Sequence, residues 1–282
     1  MTRIVLNADD FGLTPGVNQS ILDLRHNGAL TSATLMATAH HTAEAIAASG
    51  SSGLGVGCHI VLVDGTPALP AGRIPALAPG GAFRPKLGAF VLDLMRGHIS
   101  ESEIEAEAIA QIRRLQAAGV HLTHLDSHKH THMFTRVLRP VICAALQCGV
   151  RAIRNPFEPN WALTATPYAP ALRRMQVRLL RTQRQAFLRL VREAGVATTD
   201  GAVGVLATGT LNAEALQSLL AAMPAGTWEL VCHPGHLDED LNRVQTRLRE
   251  SRAIEHAALL QTVPPFLNSH PEISPIHFGQ LG

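Results

Sequence analysis

The sequence predicts an α/β fold built on a parallel sheet, either open or closed into a barrel. Short apolar runs of strand type alternate along the chain with Ala- and Leu-rich segments of helical spacing, the pattern of repeated βα units. The 282 residues suit one barrel-sized domain, and the 46% of hydrophobic residues can fill a large core. Because no repeat, low-complexity tract or linker interrupts the pattern, we expect residues 1–282 to form a single domain.

Seven segments have the length and apolar character of buried parallel strands. They are Ile4–Asn7, Ala33–Ala37, Leu54–His59, Leu122–Asp126, Arg151–Arg154, Val203–Ala207 and Glu229–His233. Right-handed connections between parallel strands place all the carboxyl ends on one face of the sheet. The residues that end these strands are therefore expected to meet at one face.

Three helices can be placed with their boundaries. The clearest runs from Glu101 to Ala118, because Ser100 and Glu103 have the spacing of a capping box and a glycine follows its end. Val137–Gln147 is followed closely by a glycine, and Asn212–Met223 is stopped by a proline. Each helix lies in a connection between two predicted strands, as βα units require.

Two segments depart from this alternation. Asp64–Pro85 is rich in proline and glycine and predicts a long loop, either a lid or rim of the site or only a connection. Ala171–Arg192 carries seven arginines and no acidic residue, and its apolar residues recur at roughly helical spacing. Such a basic amphipathic helix either covers the barrel with a solvated arginine face or binds anionic lipid headgroups or an acidic partner.

Composition argues against several classes of function. Only 4% of the residues are aromatic, too few for a stacking platform, so no nucleic-acid partner is expected. The sequence contains no run of about 18 apolar residues, so no transmembrane helix is predicted. Asp9 and Asp10 come too early for a signal peptide, so we expect a cytoplasmic location in which the four cysteines are reduced thiols.

Ionisable side chains stand at the ends of four predicted strands. These are Asp9 and Asp10, then His59, then the run His124–His132 with His128, His130 and His132, and finally His233 with His236. Adjacent buried carboxylates need a cation or hydrogen bonds as compensation. One carboxylate with two neutral imidazoles is a typical open site for a divalent metal, and such ligands suit zinc, iron, cobalt, nickel or manganese.

Each part of this pattern also has a structural interpretation. An Asp–Asp pair also forms turns and caps, and a lone His59 or His233 also fits a core or loop position. Three alternating histidines have little structural use and favour metal binding or catalysis. Non-haem Fe(II) oxygenases share the ligand set of two histidines and one carboxylate, although their sites usually lie in antiparallel barrels. A non-catalytic glycan- or lipid-binding protein with a vestigial metal site is a further alternative.

Three motifs, in this order, resemble those of the YdjC-like (chitooligosaccharide deacetylase-like) carbohydrate deacetylases. They are Asn7–Gly12 (NADDFG), Gly57–Leu62 (GCHIVL) and His124–His132 (HLDSHKHTH). The resemblance covers most of the chain and implies a distorted TIM-barrel-like fold of about seven strands and metal-dependent removal of an N-acetyl group from a sugar. Val61–Pro70 and Arg151–Pro159 are most similar to members associated with hopanoid biosynthesis. This implies an N-acetylglucosamine unit on a hopanoid lipid, with soluble chitooligosaccharide as the alternative.

The resemblance also implies roles for individual residues. Asp10, His59 and His128 would hold one divalent ion, zinc or alternatively magnesium or another metal, with Asp9 as general base and His233 as the opposing acid. The residues expected to contact the substrate are His130, His132 and Arg154. The expected partner is an N-acetylated glycan or glycolipid. Contact of residues 171–192 with an anionic membrane would place the protein at the inner membrane surface. A homodimer is compatible with the sequence.

Overall fold

The computed structural model describes residues 2–281, in which seven parallel strands form a curled half-barrel. The strands are β1 (Thr2–Phe11), β2 (Ser32–Leu35), β3 (Gly55–Ile60), β4 (Leu122–Ser127), β5 (Gly201–Val203), β6 (Gly226–Cys232) and β7 (Ile273–Ile276). Their order across the sheet is β4-β3-β2-β1-β6-β5, and β7 pairs with β1. The predicted α/β class is confirmed, as a distorted TIM-barrel-like sheet with β1 at its centre.

Helices fill the connections between these strands. Within residues 2–281 they are α1 (Pro15–His26), α2 (Thr42–Ser52), α3 (Leu87–Met95), α4 (Glu101–Ala117), α5 (Thr135–Gln147), α6 (Asn160–Ala165), α7 (Ala171–Leu180), α8 (Arg184–Glu193), α9 (Ala213–Ala221), α10 (Glu239–Arg243) and α11 (Glu250–Ser269). The three helices predicted with boundaries correspond to α4, α5 and α9. All the strands pair in parallel, so their carboxyl ends open onto one face. Strands β1, β3, β4 and β6 are buried along almost their whole length.

Two predicted strands are corrected by the structure. Arg151–Arg154 forms only isolated bridges, from Ile153 to Leu125 and from Ala152 to Ala197, because the chain leaves the sheet at the following Asn-Pro. The strand predicted at Val203–Ala207 instead ends at Val203. Gly204 has a φ of 89° there and donates its N–H to Glu158, which turns the chain out of the sheet.

Strand β7 was not predicted, because it contains Pro275 and prolines are rare in strands. It pairs in parallel with the first residues of β1, Thr2–Val5, while the later part of β1 pairs with β2. A proline fits this short partner strand where its missing N–H is not required for the ladder.

The predicted capping box at the start of α4 is wrong. Ser100 Oγ lies 2.6 Å from Ser102 Oγ and caps no backbone N–H, while Glu103 accepts N–H bonds from Ala76 and Leu77 in the loop 64–85. Glu107, one turn later, accepts further N–H bonds from the same loop. Two acidic side chains of α4 thus fasten the loop to the helix, which local spacing could not reveal.

The basic segment is not one uninterrupted helix. A 3₁₀ turn at Arg181–Gln183 separates α7 from α8. Helix α8 buries Phe187 and Val191, whereas α7 buries none of its residues. The two halves of the predicted helix therefore pack differently, since only α8 contributes fully buried side chains to the core.

Within residues 2–281, no helix has both the length and the apolar character needed to cross a membrane. The four cysteines are free thiols, three of them buried.

Candidate metal centre at the carboxyl ends of the strands

The two adjacent carboxylates lie at an irregular end of β1. The register with β2 shifts between Ala8 and Phe11, and Asp10 has a left-handed φ of 66°. In a regular strand the side chains of Asp9 and Asp10 would point to opposite faces. With the extra residue and the positive φ, both carboxylates, each at most 3% exposed, instead lie beside histidines, Asp10 beside His59 and Asp9 beside His233.

Asp10 lies between two imidazoles. Its Oδ1 atom is 3.6 Å from His59 Nε2 and 3.4 Å from His128 Nδ1, and one ligand atom from each residue lies within 4.8 Å of the other two. Ligands bound about 2.0–2.1 Å from a tetrahedral ion lie roughly 3.3 Å from one another. The donor set and its spacing therefore fit a divalent cation, and the structure brings together the three residues expected to hold one.

The second nitrogen of His59 is held by a residue that the sequence did not single out. His59 Nδ1 lies 2.7 Å from Asp126 Oδ1, an arrangement that fixes the ring and leaves Nε2 facing Asp10. Burial alone would lower the pKa of His59, but Asp126, Asp9 and Asp10 raise it to about 9. These carboxylates favour the imidazolium form of His59, whereas a metal ion bound at Nε2 requires that nitrogen to be deprotonated.

Asp9 belongs to a fully buried network that also includes Asp126. Arg154 donates to both of its oxygens, at 2.9 and 2.7 Å, and Asn7 donates at 3.0 Å. Arg154 also donates to Glu229 at 2.8 Å and contacts Asp126. Burial opposes ionisation of Asp9, but Arg154 outweighs it and holds the pKa of this carboxyl far below its usual range.

Arg154 and His132, which were expected to contact the substrate, lie in the interior of the protein, and their contact with substrate stays a prediction. Arg154 and His132 are both 0% exposed. His132 lies with Nδ1 2.6 Å from Ser127 Oγ and Nε2 3.2 Å from the Arg154 carbonyl oxygen, and burial lowers its pKa to about 3. In this position Arg154 orients the carboxylate of Asp9. His132, as a neutral imidazole, contacts the backbone carbonyl of Arg154.

The alternation of the three histidines is broken by the backbone. Lys129 and His130 both have positive φ, at 55° and 52°, within a 3₁₀ turn that runs from His128 to Met133. His128 therefore faces Asp10 while His132 is buried beside Arg154. His130 keeps some exposure, so its predicted contact with substrate stays a prediction.

His233 completes the face from β6. Its Nε2 lies 3.7 Å from Asp9 Oδ2, and its backbone N–H donates to Glu255 at 2.6 Å. Burial lowers the pKa of His233 to about 4, although Asp9 and Asp10 act in the opposite direction. His233 is therefore a neutral imidazole at pH 7 in the metal-free protein.

A groove of about 540 Å³ is walled in part by residues that follow β1, β2 and β3. Its walls include Leu13 and Val61, which follow Asp10 and His59 by three and two positions, and residues Asp64–Thr66 from the start of the loop 64–85. This loop is therefore a rim of the groove. No Phe, Tyr or Trp is among the lining residues.

Known proteins of similar sequence are named carbohydrate deacetylases. The relative from Halalkalibacterium halodurans is 28% identical over 93% of this chain and 98% of its own length. The mouse relative is 32% identical over 83% of this chain and 78% of its own length. The relative from Brevibacillus brevis is 39% identical, but the match spans 55% of this chain and 60% of that protein.

Two crystal structures share the fold. One, from Enterococcus faecalis, provisionally described as a cellobiose-phosphate cleavage protein, covers 100% of this chain and 99% of its own with a TM-score of 0.79 and 24% identity. The other, a lactam utilization protein from Thermus thermophilus, covers 98% of this chain and 99% of its own with a TM-score of 0.54 and 14% identity. At these identities the likeness concerns the fold alone. The family described as YdjC-like protein matches residues 3–264, and this chain belongs to it.

Proposed function

We propose that this chain, as one catalytic domain of residues 1–282, is a metal-dependent carbohydrate N-deacetylase. The observation that carries the proposal is Asp10 Oδ1 placed 3.4 and 3.6 Å from the nitrogens of His128 and His59. The names of the relatives support the same chemistry. Among divalent ions we propose zinc, because imidazoles suit it and magnesium prefers an oxygen-rich shell.

The neighbouring residues supply the proton transfers of amide hydrolysis. A bound divalent ion lowers the pKa of water and polarises a carbonyl oxygen. Asp9, fixed by Arg154, accepts a proton from water as the water oxygen bonds to the acetyl carbon. The carbon–nitrogen bond then breaks, and the amine nitrogen takes a proton from His233. Because the pKa of His233 is about 4, it must gain that proton during turnover, and Asp9 Oδ2, 3.7 Å away, is placed to pass it on.

The proposal is tested with protein stripped of metal and reloaded with zinc. Incubation with chitobiose and with an N-acetylglucosaminyl lipid is expected to release acetate and to remove the mass of one acetyl group from the substrate. A metal-loaded protein that releases acetate from neither would contradict the proposed activity.

The ligand assignment has its own variant. His59→Ala is expected to lose the metal and all acetate release while the circular dichroism spectrum stays unchanged, because an open site adds little to a core of this size. His98→Ala, at an exposed histidine outside the site, is the matched control and should keep one metal per chain. One metal per chain in the His59→Ala protein would remove His59 from the ligand set.

For the natural substrate we propose an N-acetylglucosamine unit on a hopanoid lipid rather than soluble chitooligosaccharide. The similarity of Val61–Pro70 and Arg151–Pro159 to hopanoid-associated members supports this choice. Two surface features add to it. The lining residues of the groove include no Phe, Tyr or Trp on which a second sugar ring would stack, and Leu172, Met175 and Leu179 are 61–69% exposed at helical spacing on α7.

These three side chains, with Tyr168, Arg174 and Arg178, form what we call the α7 surface. Its apolar members are of the kind that enters the boundary between lipid headgroups and acyl chains. Arg174 hydrogen-bonds three backbone carbonyls, and no arginine of α7 forms an ion pair with an acidic residue in the part of the chain that the structure describes. The positive charge of the α7 surface thus remains available to anionic headgroups, which contribute about 1 kcal/mol per arginine.

Vesicle sedimentation tests this docking. Binding to phosphatidylglycerol vesicles should weaken with salt and should fall in the double variant Arg178→Gln/Leu179→Gln. The control variant Leu92→Gln/Arg96→Gln removes an exposed leucine and an exposed arginine from α3 and the residue that follows it, and should bind as wild type. No vesicle binding, together with equal turnover of lipid-linked and soluble substrates, would contradict the membrane proposal. A dimer that the α7 substitutions dissociate would identify a second copy as the occupant instead.

A further inference from the structure

Arg252 reaches the metal centre from the far end of the chain. It lies in the first turn of α11, is 1% exposed, and donates from Nη2 to Asp10 Oδ2 at 2.6 Å. The same residue accepts an N–H bond from Gly235 through its backbone carbonyl. One residue of α11 therefore contacts both the candidate ligand Asp10 and the loop that follows His233.

The two oxygens of Asp10 have different surroundings. Oδ1 faces the nitrogens of His59 and His128, whereas Oδ2 accepts the bond from Arg252. A carboxylate can bind a metal through one oxygen or through both. In this geometry the second oxygen is already engaged by a charge-assisted hydrogen bond.

The guanidinium has little else to hold it. Its Nε donates to the Leu248 carbonyl at 3.0 Å, while Nη1 is buried with no hydrogen-bond partner in the described protein. Within residues 2–281, Asp10 is the acidic residue that forms an ion pair with it within 4.0 Å. A buried guanidinium with one charged partner holds that partner firmly, because moving Asp10 Oδ2 away would leave the positive charge uncompensated.

We propose that Arg252 is a positioning residue that restricts Asp10 to a single metal-binding oxygen. This inference rests on the proposed metal centre. A carboxylate bound through one oxygen leaves more of the coordination shell for water and for the acetyl oxygen, both of which amide hydrolysis requires.

Cobalt substitution tests the inference without any substrate. Metal-free wild type, Arg252→Met and the control Arg249→Met, whose arginine is exposed on the preceding turn, are each loaded with one Co²⁺ per chain. Wild type and the control should show the strong visible absorption typical of four- or five-coordinate cobalt. Arg252→Met should keep its cobalt but absorb more weakly, because Asp10 then binds through both oxygens. Turnover of the zinc form should fall about 10–100-fold in this variant only.

A wild-type cobalt spectrum in Arg252→Met, or a folded Arg252→Met protein that binds no cobalt, would overturn the restricting role. If this variant does not fold, a crystal structure of the zinc-loaded wild type decides the question. The inference expects Asp10 Oδ1 at about 2.0–2.2 Å from zinc and Oδ2 still hydrogen-bonded to Arg252. Both oxygens within bonding distance of zinc would overturn it. Because these readouts need no substrate, they are independent of whether the protein deacetylates a sugar.

Discussion

Arginines occur in two contrasting settings in this molecule. At the metal centre, Arg154 and Arg252 are buried, and each donates to one of the two adjacent carboxylates, Asp9 and Asp10. On α7, Arg173 and Arg174 donate to backbone carbonyls instead, and Arg178 is exposed. The interior arginines have their charge compensated and fix the geometry of the site. On α7, neutral backbone carbonyls hold Arg173 and Arg174 in place and leave their positive charge uncompensated.

The largest effect is expected at the buried pair of Asp9 and Arg154. Asp9→Asn keeps the shape of the side chain but cannot accept a proton from water, so the deacetylation rate should fall about 10²–10⁴-fold. Metal content should stay at the wild-type value, because Asp10, His59 and His128 are unchanged. Near-full turnover of the Asp9→Asn protein in an acetate-release assay would remove Asp9 from the mechanism.

Removing Arg154 should lower the stability of the fold. Arg154→Met leaves Asp9, Asp126 and Glu229 buried without their shared cation, which should lower the free energy of unfolding by about 3–5 kcal/mol. Chemical denaturation measures the change, with Arg178→Met as the surface counterpart. Equal stability of the two variants would erase the distinction between the interior and surface arginines.

Glu158 links the two settings and should give a smaller, pH-dependent effect. It is buried, its carboxylate accepts N–H bonds from Gly204 and Leu206, and Arg173 and Arg181 act on its charge from α7 and the following turn. Burial raises its pKa from 4.5 to about 7 in the folded protein. Between these values the folded state binds more protons than the unfolded state, so this group lowers stability as the pH rises from 4.5 to 7.

Glu158→Gln should remove that contribution, which amounts to at most about 3 kcal/mol across the interval. The measurement is the difference in unfolding free energy between pH 5 and pH 8 for the variant and the wild type. Glu193→Gln, at an exposed position on α8, is the control and should leave the pH dependence unchanged. Identical pH dependence in wild type and Glu158→Gln would show that the carboxyl titrates normally.

The smallest effect is expected on the α7 surface itself. Met175→Gln changes a side chain that is 61% exposed, so the free energy of unfolding should change by less than about 0.5 kcal/mol. Thermal melting is sufficient to check this value. A loss of several kcal/mol would mean that α7 packs against the protein in solution and offers no free apolar face.

The sequence predicted those strands and helices whose own residues mark them, through apolar runs for the strands and through helical spacing and end residues for the helices. The apolar runs of β1, β3, β4 and β6 are buried on both faces, so their composition alone marks them. Hydrogen bonds between segments that are distant in the sequence could not be predicted from local patterns. Glu103 has the spacing of a capping residue, yet it binds the backbone of the loop 64–85.

The same limit applies to the metal centre. Asp10, His59 and His128 end three strands and carry the motifs, so the sequence placed them correctly near one another. Asp126 lies within the His124–His132 run, a signal that could have found it. Arg252 is 242 positions from Asp10 and has no motif around it, so only the folded chain shows their contact.

The backbone at Asp10 limits which side chains could serve there. With a φ of 66°, the position suits aspartate and asparagine, whose short polar side chains tolerate the left-handed region, and it disfavours glutamate even though glutamate carries the same carboxylate. A designer who transplants this centre into another barrel must therefore transfer the irregular end of β1 together with the three ligands. Grafting the side chains onto a regular strand would turn one of the two aspartates away from the metal.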